Sequence, residues 1–248
     1  MINIDTVYQK VLTIANKEQR GYITPQEFNL LADQAQMEIF EQYFYDLDQL
    51  QRIPGNNIKY SDRLTNVENK ISHFKRYDVD MSSVTSSAGD IRFGENPYKG
   101  DIIYKIIAIR LRYAPGESLY VAEEVQVGGE QYLYARSPLA THTKKRPVYW
   151  KRLLDDKGLQ LRIYPRVDEN ATVVMTYVRK PKKPNWSYIV VNDKALYDSN
   201  GVNFELHGSD ESELVYKILT LAGIAIEKPI LTQVGSSFQG AQIQQEKS

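Results

Sequence analysis

TPQEFNLLADQAQMEIFEQYFYDLDQLQ, residues 24–51, reads as one long helix, and its two apolar sides decide how the rest of the chain must pack. Thr24 is a good N-cap. Pro25 takes the first helical position, where its missing N–H costs nothing, and Glu27 completes a capping box. Pro54 and Gly55 close the far end. Phe28, Leu31, Ala32, Ala35, Ile39, Tyr43 and Leu47 form one stripe at spacings of three and four. Leu30, Met37, Phe40, Phe44 and Leu50 form a second, offset stripe. At about 1.5 Å per residue the helix is roughly 40 Å long. A helix that is apolar on two sides needs cover on two sides, from its own domain or from another chain. Phe28, Leu31, Phe40 and Phe44, together with Trp186, are the candidate subunit-interface residues.

With 248 residues, the chain is long enough for one large domain or two small ones. Hydrophobic residues at 42% and charged residues at 25% place it among globular proteins. Its 31 basic and 31 acidic residues cancel, so no global field draws it onto nucleic acid or an anionic membrane. It has no cysteine, which excludes disulfides, thiolate catalysis and cysteine metal sites and fits a reducing compartment. The first residues lack the basic start and apolar run of a signal peptide. No stretch is apolar for long enough to span a bilayer. The 18 tyrosines suit either wet interfaces between chains or β-sheets.

Residues 4–20 predict a first helix, with Val7, Val11, Ile14 and Ala15 on its apolar face and Gly21 placed to end it. A third helix is predicted over 62–76, where Leu64, Val67, Ile71 and Phe74 make a narrow seam. From residue 78 the period changes. Short strands are expected at 79–84 and 91–93, a strong one at 102–113 and another at 118–127. Residues 131–139 read equally as helix or strand, and 141–147 as a basic loop. Strands at 148–154 and 159–164 flank the turn 155–158. The strand 171–179 is apolar on both faces and belongs in the middle of a sheet. Lys180-Pro181-Lys182-Lys183-Pro184 predicts an extended, exposed arm, because proline removes ladder donors. Short strands follow at 186–191 and 204–207. A last helix spans 210–227, capped by Ser209 or Asp210, and a polar tail over 235–248 is expected to be disordered or ordered only against another chain.

The fold class is therefore α+β: a helical layer over 1–77, an antiparallel β-region over 78–208 of sandwich or barrel type, and a closing helix with an extended tail over 209–248. The helical parts are expected to pack together as one domain.

No catalytic, cofactor or metal constellation emerges from the sequence. His73, His142 and His207 sit in no ligand spacing, and there is no phosphate loop or nucleophile elbow. Glu123 and Glu124 are neighbours in a strand and face opposite ways. The basic residues do cluster. Lys144, Lys145 and Arg146, with Lys151 and Arg152 behind them, make one group, and Arg179, Lys180, Lys182 and Lys183 make another. They read either as solvated loops or as a cationic patch facing DNA or an acidic partner.

Four stretches, in this order, resemble the head-to-tail connector proteins of short-tailed bacteriophages, of the adaptor or tail-tubular type, and most closely the ring proteins of crAss-like phages. The first is residues 7–16 followed by Tyr22-Ile23-Thr24-Pro25-Gln26-Glu27-Phe28-Asn29. The second is Arg146-Pro147-Val148-Tyr149-Trp150 leading into Leu159-Gln160-Leu161-Arg162-Ile163-Tyr164-Pro165. The third is residues 173–179 with Lys180-Pro181-Lys182-Lys183-Pro184-Asn185-Trp186. The fourth is residues 211–217, Ala222-Gly223-Ile224 and 229–233. The resemblance implies a non-enzymatic virion protein with no cofactor, assembled in the host cytoplasm. It implies a ring of about twelve identical copies beneath the portal protein, touching adjoining ring or tail proteins. Double-stranded DNA would pass transiently and without sequence preference through the lumen, and no membrane is involved. A rival reading is a β-rich receptor- or glycan-binding tail component that uses Trp150 and Trp186.

Overall fold

The computed structural model describes residues 1–17, 23–52, 58–81, 90–93, 101–126, 141–154, 158–167, 171–192, 194–225, 237 and 240. The chain forms two compact units, residues 1–73 with 181–248 and residues 74–180. The segment 181–208, expected in the β-region, therefore clusters with the helices.

In the first unit, α1 (Ile4–Lys17), α2 (Pro25–Arg52), α3 (Ile58–Ser72) and α4 (Glu211–Ala225) make the helical layer. Asn3 starts α1: its side-chain oxygen accepts the N–H groups of Asp5 at 2.8 Å and Thr6 at 3.2 Å. The capping box of α2 forms as its sequence requires. The Thr24 N–H donates to Glu27 Oε2 at 2.9 Å, and the Glu27 N–H donates to Thr24 Oγ1 at 3.3 Å. The Thr24 N–H, and the Thr24 hydroxyl donating to the same Oε2 at 2.8 Å, hold the Glu27 carboxyl below its usual range. A lowered carboxyl pKa adds stability above the unfolded value, and that stability is lost as pH falls through the folded one. Thr24→Ala should cost about 1 kcal/mol in urea melts at neutral pH. Glu27→Gln should flatten the acid limb of the stability profile.

Helix α2 packs against α3 and α4 of its own unit. Phe28 and Phe40 are fully enclosed, alongside Ala32, Ala35, Ile39 and Tyr43. That corrects the expectation that Phe28 and Phe40 face another subunit: both are enclosed within the chain, where α2 also packs against α4, a helix remote in sequence. Leu31 and Phe44 stay half-buried, and of the second stripe Leu30 alone stands out, at 75% exposure. Asp210 does not serve as a simple cap to α4. Its buried carboxylate receives Lys70 Nζ at 2.7 Å and the Tyr43 hydroxyl, tying α2 and α3 to the start of α4.

In the second unit, β1 (Lys75–Asp80), β8 (Thr172–Arg179), β3 (Ile103–Arg112) and β4 (Tyr120–Val121) form one antiparallel sheet in that order. A second sheet runs β2 (Asp90–Phe93), β7 (Gly158–Tyr164), β6 (Val148–Leu154), β5 (Glu123–Glu124). Only the short β5–β6 pairing in it is parallel. The strand expected over 118–127 is split because the chain changes sheets at buried Ala122. The Ala122 N–H donates to the Ile109 carbonyl at 2.8 Å, and the Glu123 N–H to that of Pro147 at 3.0 Å. Ile109, Leu111, Val173, Met175 and Tyr177 from the first sheet share one core with Tyr149, Leu161 and Ile163 from the second. The arrangement is a sandwich. As its two apolar faces demand, β8 lies between β1 and β3. Residues 131–139, the 155–157 turn and nearly all of the 235–248 tail lie outside the described residues.

Candidate interaction surfaces

The arm after β8 runs extended but is not free. Pro181 and Pro184 are buried, while Lys182 and Lys183 face solvent. Gln36, wholly buried on α2, binds the arm and the following segment at once. Its Nε2 donates to the Lys182 carbonyl at 2.8 Å, and its Oε1 accepts the Glu205 N–H at 3.1 Å. Glu205 returns a carboxylate oxygen to the Lys182 N–H at 2.9 Å. Asn29 clamps the next turn: its Oδ1 accepts the Trp186 N–H at 2.7 Å, and its Nδ2 donates to Asn185 Oδ1 at 3.1 Å. The expectation of an exposed arm is thus corrected. Prolines exclude the segment from a ladder, but side-chain amides on a helix satisfy its backbone instead.

Trp186 is 2% exposed and anchors this region. Its ring lies 4.3 Å from that of Tyr8, which in turn lies 4.7 Å from Phe28, and its Nε1 donates to Asp5 Oδ1 at 3.0 Å. It therefore cannot serve as a subunit-facing or glycan-facing aromatic. Trp150, the other aromatic of the glycan reading, is half-buried and stacks on Tyr164 at 4.5 Å.

Beyond Trp186 the chain forms β9 (Tyr188–Val191) and β10 (Lys194–Tyr197), a two-stranded sheet with no third strand among the described residues. A two-residue loop joins them, with Asn192 in the left-handed region at φ 49°. Opposed residues share a face, so Ile189, Val191 and Leu196 lie on one side and Tyr188, Val190, Ala195 and Tyr197 on the other. Tyr188 and Tyr197 rest against the Trp186 ring at 5.7 Å and 5.9 Å. The opposite side is bare: Ile189 is 56% exposed, Leu196 49% and Val191 43%. Val190 adds 65% exposure near the tip. Sequence reading placed a strand at 186–191 but missed β10. The signal was present, in two apolar runs separated by Asn192-Asp193.

The basic residues do not form one open patch. Lys144 Nζ sits 5.8 Å from the centre of the Tyr113 ring, Arg146 pairs with Glu123 at 3.2 Å, and Lys151 pairs with Glu124 at 2.8 Å. Arg179 is buried, which corrects its assignment to a DNA- or partner-facing surface. Its guanidinium lies over the Phe74 ring, and its Nε is 3.8 Å from Asp101, a nearly buried carboxylate that also binds Arg76 and the Tyr177 hydroxyl. Lys145, Lys180 and Lys182 point to solvent, and Lys183 is 87% exposed, with Asp33 3.7 Å away.

Glu124 also accepts the Tyr149 hydroxyl at 3.1 Å. Burial, the Glu124 charge and this bond push the Tyr149 hydroxyl above the ordinary tyrosine range. A raised pKa gives stability that is complete below the unfolded value, about pH 10, and lost as pH rises toward the folded one. Tyr149→Phe should therefore flatten the alkaline limb of the stability curve, read by urea melts on either side of that pH.

A cleft of about 640 Å³ lies in the first unit, lined by Asp46, Arg63, Asn66, Lys70, His207 and Ser209 among others. Lys70 is committed there to Asp210, and His207 Nδ1 to the Ser209 N–H at 3.3 Å. Among the described residues no group of three His, Asp or Glu side chains could hold a metal ion. No described helix is long and apolar enough to cross a membrane. No protein-family model matches the sequence, and no curated protein matches it.

Proposed function

We propose that this chain is a structural ring protein of the head-to-tail connector of a short-tailed bacteriophage, set below the portal, joining capsid to tail and lining the channel for genome passage. The observation that carries the reading is the β9–β10 hairpin: one side rests on the buried Trp186, and the other leaves Ile189, Val191 and Leu196 exposed. Contiguous exposed apolar surface of this kind favours a protein–protein contact. The ordered resemblance of four stretches to connector ring proteins names the kind of assembly. The chain's zero net charge suits a conduit, since each phosphate held by a lysine or arginine would slow DNA passage. The pairing of Arg146 and Lys151 with carboxylates works in the same direction. The role is mechanical and needs no catalytic group.

Native mass spectrometry of the purified chain, alone and mixed with its portal protein, tests the reading. A ring protein gives a closed multimer, or a portal complex with a fixed number of copies. A monomer at every concentration, with or without portal, would overturn it.

A further inference from the structure

The hairpin has two open edges, and they match each other. The Asp198 N–H donates to the Ser187 carbonyl at 2.8 Å, which fixes the phase of the ladder. In an antiparallel pair, inward-bonding residues alternate with outward ones. The pairs 189/196 and 191/194 therefore bond inward, and Tyr188 and Val190 on β9, like Ala195 and Tyr197 on β10, turn their N–H and C=O groups outward. No third strand takes up these groups among the described residues. Natural edge strands are usually guarded by charge, proline or a bulge. Here neither strand has a proline, the register is unbroken, and Lys194 is the single charge in eight residues.

Three observations select the occupant. Asp193 and Lys194 follow β9 almost directly in the sequence, so this end of the ribbon could not enter a membrane without burying charge. Each edge is uncharged and four residues long, apart from Lys194 at the turn. A foreign strand would fill one edge and leave the other open, whereas a second copy of the hairpin fills both kinds. The area argues the same way. Four residues per strand make a plate of roughly 14 by 10 Å, far short of the about 800 Å² per partner that holds a stable pair. Such a join becomes effective when it recurs on both sides of every copy in a closed ring.

Resting on the ring reading above, we propose that β9 of one copy pairs antiparallel with β10 of the next, so that hairpins from successive copies form one continuous β-ribbon around the ring. The join is head-to-tail, and the exposed Ile189, Val191 and Leu196 of successive copies line up on one face of the ribbon.

The absence of cysteine makes the test direct. Full-length chains carrying only Val190→Cys are mixed with chains carrying only Ala195→Cys or only Tyr197→Cys, assembled with or without portal, and oxidised. Opposed residues in such a ladder lie about 5.5 Å apart, within disulfide reach. One of the two mixtures should give a covalent mixed dimer at least tenfold in excess of the Val190→Cys self-dimer. As a second variant, Val190→Pro removes an outward N–H but no inward bond. It should raise the concentration needed for assembly at least tenfold, while Val190→Thr assembles like the parent. A dominant Val190→Cys self-dimer would overturn the proposal in favour of two-fold pairing. Rings without mixed cross-links, or with normal assembly of Val190→Pro, would overturn the join and leave the ring reading standing. A chain that never assembles, even with portal, would overturn both.

Discussion

Trp186→Ala is expected to lower the stability of the helical unit by about 4 kcal/mol, the cost of removing a large buried aromatic and leaving its cavity. The side chain is enclosed between Tyr8 on α1 and Tyr188 and Tyr197 on the hairpin, so its loss removes packing from two elements at once. Urea unfolding measures the total. Hydrogen exchange separates the local part: amides of residues 188–197 should lose protection before those of α2. Trp186→Phe keeps a ring but gives up the indole N–H bond to Asp5, and should cost less than half as much. A loss below about 1 kcal/mol for the alanine variant would mean that the hairpin is held by something other than this anchor.

Asp210→Ala should cost about 3 kcal/mol, because breaking a buried ion pair leaves its partner uncompensated. The Asp210 carboxylate has no solvent exposure and binds Lys70, the Tyr43 hydroxyl and the Ser209 hydroxyl together. Its removal takes the opposing carboxylate from a lysine whose side chain is only 19% exposed. Lys10 and Glu211, also at the start of α4, provide the contrast. They too are paired, but both are partly in water, so Lys10→Ala should change stability by less than about 1 kcal/mol. Thermal or urea melts of the two variants side by side check the difference.

What the sequence shows well is local. The capping box and the 3.6-residue period of α2 depend on residues within one or two turns, and both are found where the pattern puts them. The central position of β8 follows from the apolar character of both its faces. What is hidden is remote. Phe40 looks like surplus surface because one of the helices packed on α2 begins at Glu211, with the whole β-region intervening in the sequence. Lys180-Pro181-Lys182-Lys183-Pro184 carries every mark of a solvent-facing arm. Its fixity comes from Gln36 and Asn29, polar residues whose role shows in no periodicity. Arg179 belongs by composition to a basic run, yet it is buried beside Asp101, a carboxylate remote from it in the sequence. Of the five expected interface residues, Leu31 and Phe44 keep exposed area. The hairpin carries the apolar surface that the sequence assigned to Phe28, Phe40 and Trp186.

Cryo-electron microscopy of the phage particles tests the connector role most directly. The density below the portal should resolve a rotationally symmetric collar into which the two units of this chain fit, repeated around the axis. Particles whose collar is fully accounted for by other proteins, with this chain found in infected-cell lysate and never in virions, would contradict it.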